Sequence, residues 1–209
     1  MLFTPAETKV VVVGGGTMGA DVAAVCARGG CAVQVVEPTT ERRALLPDYF
    51  VNTMTELGYE NRIHLLSVAG TLEEVDWSDI DLVIECVPER LDIKRELFAK
   101  LEKYAKSEAV LASNSTSFPI SQIAEGLKTP ARMIGLHFFM PAHLIPCVEV
   151  IYGAKTSPMV VYPIDTPIAA ASPFTHIHPG RQSRFSPCVQ RSFCAPNLSS
   201  LLIFIPMRR

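Results

Sequence analysis

The chain alternates short, wholly apolar runs with longer stretches whose apolar residues recur every three or four positions. Lys9–Val13 (KVVVV) is a β-branched run that stops at Gly14-Gly15-Gly16, a pattern that suits a strand buried on both faces. Beyond the glycines, Met18, Val22, Val25 and Cys26 recur at helical spacing, and Gly29-Gly30 supply a stop. Val33–Glu37 is a second strand closed by Pro38, and 41–57 is a helix that Pro47 should break or kink. Residues 81–87 (DLVIECV) predict another buried strand, and Leu91–Tyr104 an amphipathic helix with Leu97, Phe98, Leu101 and Tyr104 on one stripe. Strand 109–113, helix 119–127 and strands at Met133–Phe138 and 148–151 continue the series. Elements alternating at this length predict an α/β architecture, a doubly wound, mostly parallel sheet built from βαβ units.

Composition adds a boundary. The chain has 209 residues, 48% hydrophobic and 19% charged, with net charge −2. Residues 1–156 hold 14 basic and 20 acidic side chains, a balance of −6, whereas 157–209 hold 5 and 1, a balance of +4. The last 53 residues also carry 8 of the 16 prolines, no lysine, and Gly180 as their one glycine. Two units are therefore expected: a sheet domain over 1–156 and an irregular, proline-rich tail over 157–209. Neither half is basic enough to suggest nucleic acid. No apolar run approaches the ~20 residues of a membrane helix, and no signal peptide opens the chain. The six cysteines form no C-x-x-C pair, so neither a zinc site nor a disulfide framework is expected, and a reduced, cytoplasmic setting is the default.

The chemistry begins at the first turn. Gly14-x-Gly16-x-x-Gly19, with Thr17 and Met18 between the later glycines, lies directly between a strand and a helix. One glycine serves the tight turn, one lets backbone approach a pyrophosphate, and one allows close helix–strand contact. The helix then directs N–H groups and its positive dipole end at the phosphates. Glu37 falls 18 residues after Gly19 at the end of the second strand, where a carboxylate accepts from ribose hydroxyls and repels a 2′-phosphate. NAD is the expected cofactor over NADP, with Gly14, Gly16, Thr17, Met18, Gly19 and Glu37 as contacts. FAD or an adenosyl cofactor is an alternative that this half alone leaves open.

Three later segments, Ile84–Glu89 (IECVPE), Ser113–Ser117 (SNSTS) and 135–149 (GLHFFMPAHLIPCVE), resemble the 3-hydroxyacyl-CoA dehydrogenase family, which includes the L-gulonate (lambda-crystallin) and L-carnitine dehydrogenase branches. The resemblance covers roughly residues 7–156 and implies a Rossmann-like NAD domain and a place in fatty acid metabolism. His137 matches the family's catalytic base and Glu149 the carboxylate that orients its imidazole. Glu89 and Lys94 match cofactor-contacting positions. Thr116 stands where the family has a serine touching nicotinamide and substrate oxygen, and it keeps the hydroxyl. Bland alternatives are a satisfied core histidine at 137 and a solvated helix lysine at 94. Glu149, an acid in an apolar strand, is costly there unless paired, and a histidine partner accounts for it. Glu85 is similarly placed and has no assigned role. His64 and His143 are expected at the surface.

Two departures bear on substrate. Met140 replaces the asparagine that the acyl-CoA enzymes carry in H-F-F-x-P, and no lysine occurs between Lys9 and Lys94, where those enzymes have a lysine-rich helical hairpin. A small L-3-hydroxy acid is thus as compatible as an L-3-hydroxyacyl-CoA. The family's G-F-x-x-N-R segment, which opens its helical second domain and dimer interface, is absent, and Asn197 stands in another context. A shifted reading frame would produce this change, and the missing segment should then lie in another frame of the encoding DNA. The readings are an NAD-dependent oxidoreductase oxidising an L-3-hydroxyl, a truncated NAD-binding remnant with little or no turnover, or a module that senses NAD. A small-molecule substrate is expected. A homodimer would lack the family's dimerising domain.

Overall fold

The computed structural model of the protein describes residues 4–145 and 147–160, and the backbone of Phe174–His178. The elements are β1 (Lys9–Val13), α1 (Thr17–Gly29), β2 (Ala32–Val36), α2 (Thr40–Glu56), β3 (Leu66–Ala69), β4 (Leu82–Glu85), α3 (Leu91–Tyr104), β5 (Val110–Ser113), α4 (Ile120–Ile123), β6 (Met133–Phe138), β7 (Cys147–Tyr152) and β8 (Phe174–His178). They form one sheet in the order β3-β2-β1-β4-β5-β6-β7-β8. Every pairing is parallel except β6 with β7.

The apolar runs explain the layering. Along β1, Val10 and Val12 enter a core with α1 and α2, while Val11 and Val13 enter a second core with α3 and Trp77. Both faces are covered, so alternation disappears and the strand reads as continuous valine. Burial of each such side chain contributes about 1.5–3 kcal/mol.

Two expectations are corrected, and two features that the sequence did not mark appear. Helix α2 runs unbroken through Pro47, because Leu46, Phe50 and Met54 bury one of its faces in the first core and outweigh one lost backbone bond. Helix 119–127 shrinks to the single turn of α4. β3, a short edge strand unmarked by any apolar run, pairs with β2. β7 turns back against β6 because the residues between Phe138 and Cys147 hold no crossover helix, and a parallel return needs a dozen residues or more.

The proline-rich segment contributes β8, parallel to β7, although it reads as irregular. Pro173 and Pro179 lie just outside its five residues, so they bound the strand instead of removing a ladder donor from it. The Ser157 N–H donates to the Ala131 carbonyl at 2.8 Å, so the chain stays on the domain past Thr156. Expectations for residues 161–173 and 179–209, including the apolar run 201–207, lie outside the described residues.

Strand order reverses between β1 and β4. In open sheets of this kind the ligand crevice lies outside the carboxyl ends of the strands, at such a reversal. Both the glycine turn and the IECVPE segment open onto it.

Candidate active site in the crevice

The glycine turn is shaped by contacts that admit no side chain. Gly14 has φ +105°, and a Cβ there would lie 2.6 Å from the Cys86 carbonyl oxygen. A Cβ on Gly19 would lie 1.8 Å from the Gly14 oxygen, and one on Gly15 would press Glu37 and Leu46 at 2.8–2.9 Å. Gly16 differs, because a Cβ there meets nothing within 4 Å. Its missing side chain leaves open space over the start of α1, whose end carries no side-chain cap. Thr17 is exposed at this end, while Met18 turns inward against the first core. An uncapped helix N-terminus beneath an open glycine fits the pyrophosphate of a dinucleotide.

Glu37 closes the adenosine side. Its carboxylate accepts from the Gly15 N–H at 2.9 Å and the Thr39 N–H at 2.8 Å, so it braces the turn itself, and each oxygen retains a lone pair for a ribose hydroxyl. Burial pushes its pKa up, but the hydrogen bonds from Thr39 and Gly15 outweigh this and hold it below the ordinary value of 4.5. It therefore stays charged at neutral pH, which disfavours a 2′-phosphate. Gly15 was not singled out in the sequence, and the run of three glycines was the signal for it.

Across the crevice, Glu89 accepts from Ser115 Oγ at 2.5 Å and the Ser117 N–H at 2.9 Å. Burial again acts upward, and the Ser115, Ser117 and Lys94 contacts bring the carboxyl below its usual range. Lys94 is not a solvated helix lysine. It is 1% exposed, and its ammonium reaches Glu85 at 2.6 Å, Glu89 at 3.1 Å and the Val87 carbonyl at 3.5 Å. Its three protons are spent on protein oxygens, so it acts on the crevice through Glu89. Glu85 is the partner that sequence reasoning left without a role, and its only signal was a carboxylate inside an apolar strand. Beside it, burial and the Glu85 charge push the Cys86 thiol far up, so Cys86 is no nucleophile.

Because β6 and β7 are antiparallel, His137 and Glu149 stand directly opposite each other in register. His137 Nδ1 lies 2.9 Å from Glu149 Oε2, with the side chains 18% and 12% exposed. Nδ1–H donating to the carboxylate leaves Nε2 as the basic nitrogen. The imidazole also packs against Phe139 at 4.7 Å between ring centroids. Thr116 sits exposed on the loop after β5. Two residues earlier, Asn114 Oδ1 accepts from the Phe138 N–H at 2.8 Å, which clamps that loop to the strand carrying His137. Asn114 was also missed, although it lies within SNSTS.

His143 is not a surface residue. Its partly buried ring sits 3.1 Å from the buried Asp21 carboxylate, which accepts from the Tyr49 hydroxyl and from the Ala142 N–H at 2.8 Å. This cluster fastens the segment after H-F-F-x-P to α1 and α2.

The folded-state pKa values of Glu37 and Glu89 are depressed, so the stability they contribute is present above the ordinary carboxylate value and is lost as pH falls through their lower folded values. The urea midpoint should decline as pH drops below about 4.5, the ordinary value, and Glu37→Gln should show a shallower decline. An equally steep decline in that variant would remove Glu37 from the account.

The chain is similar to known proteins in sequence and in fold. The family model for "3-hydroxyacyl-CoA dehydrogenase, NAD binding domain" matches residues 9–168. The chain is 39% identical over 159 residues to 3-hydroxybutyryl-CoA dehydrogenase of Mycobacterium tuberculosis, covering 71% of this chain and 55% of that protein. It is 32% identical over 162 residues to the peroxisomal fatty acid beta-oxidation multifunctional protein of Arabidopsis thaliana, covering 73% and 22%. It thus spans from about a fifth to about half the length of these relatives. The crystal structure of M. tuberculosis FadB2 superposes with a TM-score of 0.78 at 31% identity, over 88% of this chain and 68% of that one. Escherichia coli 3-hydroxybutyryl-CoA dehydrogenase superposes with a TM-score of 0.73 at 31% identity, over 82% and 38%. With the glycine turn, Glu37 and the His137–Glu149 pair in place, the chain belongs to the 3-hydroxyacyl-CoA dehydrogenase family, of which it carries the NAD-binding domain.

Proposed function

We propose that the protein oxidises the 3-hydroxyl of an L-3-hydroxyacyl-CoA, or of a small L-3-hydroxy acid, to the 3-keto product with NAD. The observation that carries this reading is the His137–Glu149 pair, a base with a fixed tautomer on the strand clamped to the Thr116 loop. Bound against the glycine turn, NAD supplies the hydride acceptor. The residues of the chain handle the proton. His137 Nε2 takes it from the substrate hydroxyl as the carbonyl forms, and Glu149 stabilises the resulting imidazolium. The Thr116 hydroxyl donates to the same substrate oxygen and holds it toward His137. Without such orientation the proton transfer would lose most of its advantage over solution. The names of the relatives support the acyl-CoA as the first substrate to try, and Met140 in place of asparagine supports the free acid as the second.

Calorimetric titration with NAD, followed by absorbance assays of NADH with L-3-hydroxybutyryl-CoA, L-gulonate and L-carnitine, tests the reading. NAD binding and NADH formation on one of them is expected. Binding with no turnover on any would make the chain a cofactor-binding remnant, and no binding would remove the assignments of Gly14, Gly16, Gly19 and Glu37.

A further inference from the structure

Glu85 ends β4 with its side chain fully buried, 0% exposed. Its Oε1 accepts from Lys94 Nζ at 2.6 Å and the Val87 N–H at 2.8 Å, and its Oε2 accepts from Ser113 Oγ at 2.6 Å. Its own carbonyl accepts from the Asn114 N–H at 3.0 Å. Ser113 Oγ passes the connection on by accepting from the Ser115 N–H at 3.2 Å. Lys94 passes it on to Glu89 at 3.1 Å, and Glu89 in turn receives Ser115 Oγ and the Ser117 N–H. One carboxylate therefore joins the end of β4, the turn behind it, the start of α3 and the loop after β5. These are the segments that wall the crevice opposite the glycine turn.

A buried ion pair of this kind is a poor source of net stability, because desolvation of both charges offsets their attraction and an apolar pair of similar volume would serve as well. Its use lies in fixing a geometry. The geometry points to Glu85 as a positioning residue that sets, through Lys94 and Ser113, where the Glu89 carboxylate and the Ser115–Ser117 backbone stand beside Thr116. This rests on reading the crevice as the NAD and substrate site. Glu85 itself meets only protein groups in the described contacts, and its effect reaches the reactants through the loop it holds.

The test compares Glu85→Gln with Val83→Ala, a cavity variant in the same strand whose side chain is 0% exposed and faces the core, at matched loss of thermal stability. Amide exchange at Ser115, Ser117 and Phe118 should be about tenfold faster in Glu85→Gln than in Val83→Ala, and the Kd for NAD should rise about tenfold only in the former. The double variant Glu85→Gln/Lys94→Met removes both buried charges. It should regain melting temperature while keeping the fast exchange and weak NAD binding, since Glu89 has then lost its cation. Equal exchange in the two single variants, or wild-type protection and affinity in the double variant, overturns the proposal. Should Glu85→Gln not fold, the double variant decides, because it leaves no charge at the fully buried positions 85 and 94. If the wild-type protein itself binds no NAD, the reading of the crevice fails, while the exchange comparison still decides the role of Glu85.

Discussion

Replacing His137 by Gln should lower NADH formation by roughly 10²–10⁴-fold, the range expected for loss of a general base, with the Kd for NAD unchanged. The side chains nearest in size to imidazole either keep its hydrogen bond or keep its basicity, and Gln keeps only the former. Its amide can still donate to Glu149, which faces His137 at 2.9 Å, so the cross-strand contact and the fold survive. What disappears is the nitrogen that receives the hydroxyl proton. The glycine turn lies on the other side of the strand-order reversal, with β4 and β5 between β1 and the β6 that carries His137, which is why affinity for the cofactor should not follow. Glu149→Gln should show a loss of the same kind, since an amide neither fixes the imidazole tautomer nor carries the charge that stabilises its protonated form. A His137→Gln protein with wild-type turnover would end the assignment of the base.

The second large effect separates two glycines three positions apart. Gly19→Ala should abolish measurable NAD binding and destabilise the domain by about 1–3 kcal/mol, the usual cost of overpacking. Its new methyl would lie 1.8 Å from the Gly14 oxygen, and that oxygen belongs to backbone already pinned against Cys86. The helix can retreat from β1 or the turn can distort, and either movement spoils the phosphate cradle. Gly16→Ala should leave stability within about 0.5 kcal/mol of wild type, as surface changes usually do. Its backbone, at φ −67° and ψ −179°, suits alanine, and its Cβ would meet nothing within 4 Å. Even so, NAD should bind at least tenfold more weakly, because the methyl enters the space through which the pyrophosphate approaches. Thermal melting and calorimetry on the two variants separate a packing glycine from a ligand-facing one. Wild-type NAD affinity in Gly16→Ala would show that the cofactor does not cross this turn.

Much of this arrangement is legible in the chain because local chemistry and global position coincide there. KVVVV followed by three glycines and a helical repeat admits few structures other than a buried strand, a phosphate turn and a helix. The match of β1, α3 and β6 to their expected bounds reflects the same agreement between periodicity and burial. The expectations that fail do so where one interaction outweighs another. Pro47 signals a break, yet the apolar face of α2 holds the helix together on α1. Residues 66–69 are too short and too mixed to announce a strand, and the exposed edge of β2 recruits them. His143 lacks a companion nearby in sequence because the acid beside it, Asp21, lies far away in the chain on α1.

The sequence by itself determined the glycine turn and the acid at the end of the second strand, since each is specified by residue type at fixed spacing along one or two elements, and the family resemblance added the histidine with its distant glutamate. Only the tertiary structure decided the roles of Glu85 and Lys94. A carboxylate in an apolar strand and a lysine nine residues later are ambiguous in one dimension. Folding withdraws both from water, and at 2.6 Å with no solvent to share them each charge is tolerable only against the other. For His137 and Glu149 the tertiary structure supplied the contact that the resemblance implied, because β7 turns back and the antiparallel ladder sets them opposite each other.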